Sequence, residues 1–136
     1  MIVDTSALIA VLLGEDGSGP ILDALDEEAV FLPAPALVEF WAVASGSRVD
    51  AAQQARELLD EWRDGGLIVL PFTEDHAVRV YEAIPRYGKG NGRGGLLNLT
   101  DLMVYAVAKE RGEPLLCTGK DFATTDLNLH AASRPF

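Results

Sequence analysis

Four carboxylates stand in sequence surroundings where an acidic side chain is costly unless it binds something. Asp4 ends a short apolar run, and Glu39 has only apolar neighbours along its stretch of chain. Asp101 precedes a long apolar segment, and Asp121 follows another. Because burying an unpaired charge costs free energy, these four acids are candidates for a functional site. The other acids lie mostly in charged clusters that are typical of solvated helix faces.

The chemistry that suits such a set is the binding of a hard divalent cation. Carboxylate oxygens favour Mg²⁺ or Mn²⁺ over zinc. Neither His76 nor His130 has the spacing of a metal ligand, so we expect His76 on a helix surface and His130 in the tail. A cation would offset the repulsion between the acids and activate water for in-line attack on a phosphodiester. Structural roles stay open: Asp101 suits the first turn of a helix, and Asp121 and Asp126 suit turns.

The elements that must position these acids alternate along the chain. Apolar runs bounded by glycine or proline predict strands at residues 2–3, 29–32, 67–70 and 114–117, with a short fifth at 127–129. Helical spacing and capping residues predict helices between them. The expected caps are Thr5 or Ser6, Asp50, Thr73, and Asn98 or Thr100, and the helices are expected at residues 7–13, 20–28, 35–45, 51–63, 74–84 and 99–111.

Alternating strands and helices predict a three-layer α/β fold. Its central sheet would be mostly parallel, with four to five strands, in one domain over residues 1–136. Asp4 and Asp121 follow the first and fourth strands, so we expect them to meet at the carboxyl edge, where such sheets bind ligands. Glu39 and Asp101 lie on helices that can reach the same edge.

Composition limits the classes of function. With 21 acidic and 11 basic residues, the net charge of −10 argues against a protein that coats nucleic acid by bulk electrostatics. No apolar run approaches the roughly 18 residues that span a membrane. The single Cys117 stands in an apolar run and cannot form an internal disulfide, so we expect a buried thiol and a reduced, cytoplasmic protein without membrane association.

One basic cluster lies near the predicted site. Arg86, Lys89 and Arg93 flank or occupy a glycine-rich loop, where they could contact RNA phosphates or simply belong to a mobile polar segment. It is not a P-loop, because Lys89 is followed by glycine rather than serine or threonine. Trp41 and Trp62 are expected in the core or a dimer contact rather than as stacking platforms.

The combined pattern resembles PIN-domain ribonucleases, and within them the VapC toxins of bacterial toxin–antitoxin pairs. The resemblance is carried by Met1-Ile2-Val3-Asp4-Thr5-Ser6, by the apolar helix with Glu39, by Asn98-Leu99-Thr100-Asp101, and by Leu115-Leu116-Cys117-Thr118-Gly119-Lys120-Asp121-Phe122. The continuation through Thr125-Asp126-Leu127 favours the VapC branch. The resemblance implies a PIN-like αβα fold and a Mg²⁺-dependent endoribonuclease, usually a homodimer, silenced by a VapB-like antitoxin whose tail enters the acidic site.

The resemblance also implies roles for individual residues. Asp4, Glu39, Asp101 and Asp121 match the metal-binding acids of the family by position. Two residues match frequent supporting positions: Asp126 is expected as a further metal ligand, and Thr118 as a substrate-binding residue. Lys120 departs from the pattern, because a small polar residue such as asparagine is common there; a lysine could contact phosphate or weaken metal binding.

Two other functions fit parts of the pattern. A phosphatase could use Asp4 as a covalent nucleophile, but such enzymes generally carry a second aspartate two positions later, where this chain has Ser6. A non-catalytic RNA- or protein-binding module could keep the fold, although the presence of all four acids argues against it.

Overall fold

A computed structural model describes residues 1–136 and contains one parallel sheet flanked by six helices. The α/β class predicted from the sequence is confirmed. The strands are β1 (Ile2–Val3), β2 (Phe31–Pro33), β3 (Ile68–Leu70) and β4 (Leu115–Leu116), and the helices are α1 (Thr5–Leu12), α2 (Gly19–Glu27), α3 (Ala34–Ser45), α4 (Ala52–Asp64), α5 (Glu74–Tyr87) and α6 (Leu99–Arg111).

The strand order β3-β2-β1-β4 places β1 between two neighbours. Ile2 pairs with Phe31 on one side and Leu115 on the other, and all pairings are parallel. Strands covered by helices on both faces need apolar side chains throughout, which explains the runs that end at Asp4 and Cys117. The order makes β1 and β4 neighbours, as the predicted convergence of their following acids requires.

The core is a single cluster of 31 buried hydrophobic residues. Phe40 and Phe122 are among its largest fully buried side chains, and Trp62 packs at 6.3 Å from Phe40 between ring centroids. The expectation of a core position is thus confirmed for Trp62. Trp41 is 48% exposed, so it lies outside the core.

The predicted fifth strand does not form. Leu129 makes only an isolated bridge with Leu115, through hydrogen bonds on either side of it, and the chain then turns away. Further along, Arg134 bridges to Thr118 at another single point. Two isolated bridges separated by a turn do not form a continuous ladder. The apolar character of residues 127–129 could not reveal this, because it says nothing about where the chain turns.

Two helix starts differ from the sequence-based expectation. Asp4 itself, rather than Thr5 or Ser6, caps α1, because its extended backbone lets its carboxylate accept from Ser6. Asp50 does not cap α4: its φ of 49° is left-handed, and Ala51 occupies the cap position.

The start of α5 was predicted correctly at Thr73, but the role of its partner was not. His76 was expected on the helix surface, yet only 4% of it is exposed. Its Nδ1 accepts a hydrogen bond from the Thr73 amide at 2.9 Å, forming a reciprocal cap. Its Nε2 lies 2.5 Å from Oε2 of Glu110 but without hydrogen-bond alignment.

Cys117 is buried, as expected, and burial raises the pKa of its thiol to about 12. A thiol with that pKa is uncharged near neutral pH and therefore poorly nucleophilic. None of the six helices combines the length and the apolar character that crossing a membrane would require.

Candidate active site

The four acids singled out from the sequence line one cleft of about 250 Å³. Asp4 and Asp101 are buried, with 4% and 7% of their surface exposed, whereas Glu39 is half-buried and Asp121 is exposed. The cleft therefore has two carboxylates in its wall and two nearer its opening. This arrangement brings together acids that are up to 117 positions apart in sequence.

Asp4 is held by the end of β1 and the start of α1. Its amide donates to the Leu116 carbonyl at 2.9 Å, which ties it to β4. Its Oδ2 accepts from the amide and the hydroxyl of Ser6, at 3.0 and 2.6 Å. Its Oδ1 is buried and has no hydrogen-bond partner.

Ser6 connects Asp4 to the segment after β4. Its hydroxyl oxygen accepts from the Thr118 amide at 3.0 Å while the hydroxyl donates to Asp4. Thr118 also donates from its own hydroxyl to the Ser6 carbonyl at 3.4 Å. Gly119 follows with a φ of 81°, a left-handed conformation that glycine adopts without strain and that turns the chain toward Asp121.

Asp101 occupies the third position of α6 and shares a reciprocal cap with Asn98. The Asp101 amide donates to Asn98 Oδ1 at 2.9 Å, and the Asn98 amide donates to Asp101 Oδ2 at 3.1 Å. One carboxylate oxygen thus fixes the helix start and orients the other. The structural and functional interpretations of Asp101 are compatible, because the cap uses only Oδ2 of the carboxylate.

The electrostatics of the cleft disfavour negative charge. Burial raises the pKa of Asp4 to about 6, and the charge of Glu39 adds to the rise, while hydrogen bonds from Ser6 oppose it. Burial likewise raises the pKa of Asp101 to about 7, with further contributions from Asp4, Asp121 and Glu39 against the Asn98 hydrogen bond. Both buried acids therefore lack a compensating positive charge.

These residues fit a hard divalent cation. A buried carboxylate oxygen without a partner, as at Asp4, is costly in a native protein, and a cation would satisfy it. No three acidic, histidine or cysteine side chains already form a closed set of ligands. That is compatible with Mg²⁺, which commonly uses only one or two carboxylates and keeps several waters.

Asp126, predicted as a further metal ligand, does not line the cleft. Its Oδ1 accepts from the Tyr105 hydroxyl at 2.7 Å, and its Oδ2 lies 2.9 Å from Lys109 Nζ. Partial burial would raise the pKa of Asp126, but the bonds from Lys109 and Tyr105 outweigh it and lower the pKa below its ordinary value. Asp126 thus has its own counter-ion.

The predicted phosphate-binding residues lie outside the cleft. Lys120 is exposed and adjoins Asp121 in sequence, while Lys89 and Arg93 are exposed on the glycine-rich loop. Arg86 lies over the Tyr87 ring, 4.9 Å from its centroid, and donates to the Tyr87 hydroxyl at 2.9 Å. Of the five residues predicted to bind substrate, only Thr118 lines the cleft.

Comparison with known proteins decides the family. The PIN domain family model matches residues 1–127. Ribonuclease VapC42 of Mycobacterium tuberculosis is 37% identical over 129 residues, covering 93% of this chain and 96% of that protein. The chain belongs to the PIN-domain family. Ribonuclease VapC28 of the same organism is 38% identical over 126 residues of this PIN domain, covering 92% of it and 93% of the relative.

A solved structure agrees with this assignment at the level of fold. The PIN domain superposes on the crystal structure of Mycobacterium tuberculosis VapC20, described as a sarcin–ricin loop cleaving toxin, with a TM-score of 0.73. The match covers 93% of this chain and 95% of that one at 18% identity. The resemblance inferred from the four acidic segments is confirmed.

Two residues that organise the site of this PIN domain were not recognised as such from the sequence. Ser6 was considered as a possible helix cap and as the absence of a second acid, yet it binds Asp4 and Thr118. Asn98 was considered as a helix cap, yet it also orients Asp101. A serine two positions after an aspartate, and an asparagine three before one, are signals for such local hydrogen bonds.

Proposed function

We propose that this PIN domain is a Mg²⁺-dependent endoribonuclease that serves as the toxin of a toxin–antitoxin pair, with Mn²⁺ as a substitute ion. The observation that carries the proposal is the buried, unpartnered Oδ1 of Asp4 in a cleft shared with three other carboxylates. Relatives at 37% and 38% identity are named VapC ribonucleases, which supports RNA as the substrate.

Asp4, Glu39, Asp101 and Asp121 would hold the ion in this proposal. When bound, the ion activates water and offsets charge on the phosphodiester. The buried Asp4 and Asp101 are the fixed ligands, because Ser6 and Asn98 each restrain one of their oxygens. Glu39 and Asp121, nearer the opening, have room to adjust as the substrate enters.

Residues around the opening would position the RNA. Thr118 lines the cleft and lies next to the turn that presents Asp121. Lys120 is exposed beside Asp121 and can reach a phosphate there. Arg86, Lys89 and Arg93 would contact phosphates further along the strand, which keeps positive charge near an otherwise acidic site.

The partners of the toxin are also part of the proposal. We expect a VapB-like antitoxin that blocks the acidic cleft in the cytoplasm, and a homodimer. Support for self-association comes from α5, where Val78, Tyr81 and Ile84 are exposed at 51%, 78% and 44%. Exposed apolar side chains on one helix are common at interfaces between protein chains.

The direct test is cleavage of single-stranded RNA by the purified protein. Cleavage is expected with Mg²⁺ or Mn²⁺, and it is expected to stop in excess chelator and in Asp4→Asn. Asp23→Asn is the matched control, because Asp23 is an exposed acid on α2, outside the cleft. Cleavage that persists in chelator or in Asp4→Asn would overturn the proposal.

The toxin role has a separate test. Expression of the chain should arrest growth, and coexpression of the small reading frame next to its gene should relieve the arrest. The Asp4→Asn protein should not arrest growth at the same expression level. Arrest by Asp4→Asn equal to that of the unaltered chain would favour the non-catalytic alternative.

The phosphatase alternative gains no support from the site. Ser6, where a second acid would be needed, binds Oδ2 of Asp4 at 2.6 Å and helps anchor Thr118. Absence of an aspartyl-phosphate mimic at Asp4 after incubation with beryllofluoride would eliminate that alternative.

A further inference from the structure

Positive charge in this acidic protein is concentrated in one part of the chain. Residues 77–109 carry five basic and two acidic side chains, whereas the remainder carries six basic and nineteen acidic ones. Those 33 residues comprise most of α5, the glycine-rich loop and most of α6. Three of the five basic residues, Arg79, Arg86 and Lys109, lie on the two helices rather than in the loop.

The two helices run in opposite directions along each other. At one end the Leu97 amide, just before α6, donates to the carbonyl of Tyr87 at the end of α5. At the other end His76 of α5 lies beside Glu110 of α6. A shallow cleft of about 120 Å³ lies between them, lined by Arg79, Glu82, Ala83, Arg86, Tyr105 and Lys109.

The cations of this cleft are only partly neutralised. Neither Arg79 nor Arg86 has an acidic group within salt-bridge distance, although Glu82 lines the same cleft. Lys109 is held at 2.9 Å by Asp126, and Asp126 is in turn held at 2.7 Å by the Tyr105 hydroxyl. Asp126 thereby fixes the position of a cation that is itself 43% exposed.

Helix α6 contributes residues to both clefts, Asp101 to the acidic one and Tyr105 and Lys109 to the basic one. Asp101, Tyr105 and Lys109 are spaced four residues apart, so they lie on one face of that helix. At 1.5 Å per residue, Lys109 lies about 12 Å along the helix from Asp101. That span matches about three nucleotides of one strand at 3.4 Å each, or fewer in an extended strand.

We propose that the cleft between α5 and α6, through Arg79, Arg86 and Lys109, binds the backbone phosphates of the RNA strand that enters the acidic site. This inference rests on the proposed ribonuclease function and adds the path of the substrate to it. The groups offered are guanidinium and ammonium donors without base-reading partners, so binding along this path is independent of sequence. Asp126 acts as a positioning residue for Lys109.

The test uses the full chain carrying Asp4→Asn, so that RNA is bound but not cut. Binding of a fluorescently labelled single-stranded RNA of mixed sequence is followed by anisotropy across a salt titration. Adding Arg79→Gln and Lys109→Gln should weaken binding about 5- to 30-fold and reduce the salt slope by roughly 1.4.

The control removes the same charge elsewhere. Arg56→Gln with Arg63→Gln alters two exposed cations on α4, which line a different groove with Trp41. This pair should leave RNA affinity and salt slope within twofold of the parent. The conservative pair Arg79→Lys with Lys109→Arg should keep most of the affinity, which separates a charge effect from loss of fold.

The same substitutions in the cleaving protein separate the two proposals. If the unaltered chain cleaves RNA, and Arg79→Gln with Lys109→Gln raises KM more than it lowers kcat, both proposals stand. If cleavage is intact and that pair binds RNA as the parent does, the phosphate path is wrong while the ribonuclease proposal stands. The phosphate path is also wrong if Arg79→Gln with Lys109→Gln impairs only antitoxin binding or dimer formation and leaves RNA binding intact.

Discussion

Two groups of acids in this PIN domain show opposite responses to their surroundings. In the acidic cleft, burial raises the pKa of Asp4 to about 6 and that of Asp101 to about 7, and no cation lies within reach. Beside the basic cleft, Asp126 has a lowered pKa, because the bonds from Lys109 and Tyr105 outweigh its partial burial. One region lacks positive charge, and the other supplies its own.

The difference indicates which acids need something from outside the chain. A carboxylate that already contacts an ammonium group and a hydroxyl gains little from a metal ion. A carboxylate with a buried, unpartnered oxygen gains much, because the ion replaces lost hydration. Motif position alone placed Asp126 with the metal-binding acids, whereas its contacts place it with the basic cleft.

The largest expected effect separates the two groups by activity. Asp101→Asn should reduce RNA cleavage by more than about a hundredfold, because Asp101 is proposed as a metal ligand itself. Residues that only hydrogen-bond to a metal ligand usually cost about 10- to 100-fold when replaced. Asp126→Asn should reduce cleavage by less than about tenfold, since Lys109 keeps its charge but loses its anchor. Initial rates at saturating Mg²⁺ would decide, and equal losses would remove the distinction between the groups.

The second prediction concerns stability in Mg²⁺. At about 100 times its dissociation constant, an ion bound only by the folded state stabilises it by roughly 2.7 kcal/mol, which is several degrees in melting temperature. The rise is expected in the unaltered protein and in Asp126→Asn, but not in Asp4→Asn. Without metal at pH 7, Asp4→Asn should be more stable than the parent by about 1–3 kcal/mol, because burial raises the pKa of Asp4 and its ionised form destabilises the folded state. Differential scanning calorimetry measures both, and a full Mg²⁺ response in Asp4→Asn would rule out Asp4 as a ligand.

The third prediction tests the orientation of Asp4. Ser6→Ala removes the 2.6 Å hydroxyl bond to Oδ2 and the acceptor for the Thr118 amide. Cleavage should fall about 10- to 100-fold, as for outer partners of metal ligands. Ser6→Thr keeps the hydroxyl and should retain most of the activity. Activity unchanged in Ser6→Ala would show that the Asp4 side chain needs no such support.

The smallest expected effect is a dependence of stability on acid pH. Because the pKa of Asp126 is lowered by folding, its stabilising contribution is complete above the unfolded value near 4 and is lost as pH falls through the folded value. Asp126→Asn should therefore lower the free energy of unfolding by less than about 1 kcal/mol at pH 7. Urea titrations should show this difference shrinking below pH 4, and a constant difference would contradict the assignment.

Local sequence patterns were enough for much of the site. The apolar surroundings of Glu39 and the strand end at Asp4 identified two cleft acids, because the cost of burying charge is visible in neighbouring residues. The alternation of elements placed β1 and β4 so that Asp121 could join them. The helix start at Thr73 was also predicted correctly, although the capping role of His76 was not.

What could not be predicted depends on contacts between distant parts of the chain. Asp126 contacts Lys109 and Tyr105, which lie 17 and 21 positions earlier. The residues next to Asp126 in sequence do not indicate these contacts. The burial of His76 depends on how α5 lies against α6. The missing fifth strand likewise depends on where the chain turns after Leu129, since a single bridge cannot extend into a ladder.

The Ser6 hydroxyl has a consequence for control of the acidic cleft. This hydroxyl donates a hydrogen bond to the carboxylate at the end of β1 and accepts one from the backbone that follows β4. A single hydroxyl therefore joins the two walls of the cleft. A molecule that displaced the turn at residues 118–121 would remove the Thr118 bond that holds the Ser6 hydroxyl, and would so weaken the restraint on Asp4 without contacting it. A molecule bound at that turn would then leave the acids accessible to solvent, but Asp4 would no longer be correctly oriented.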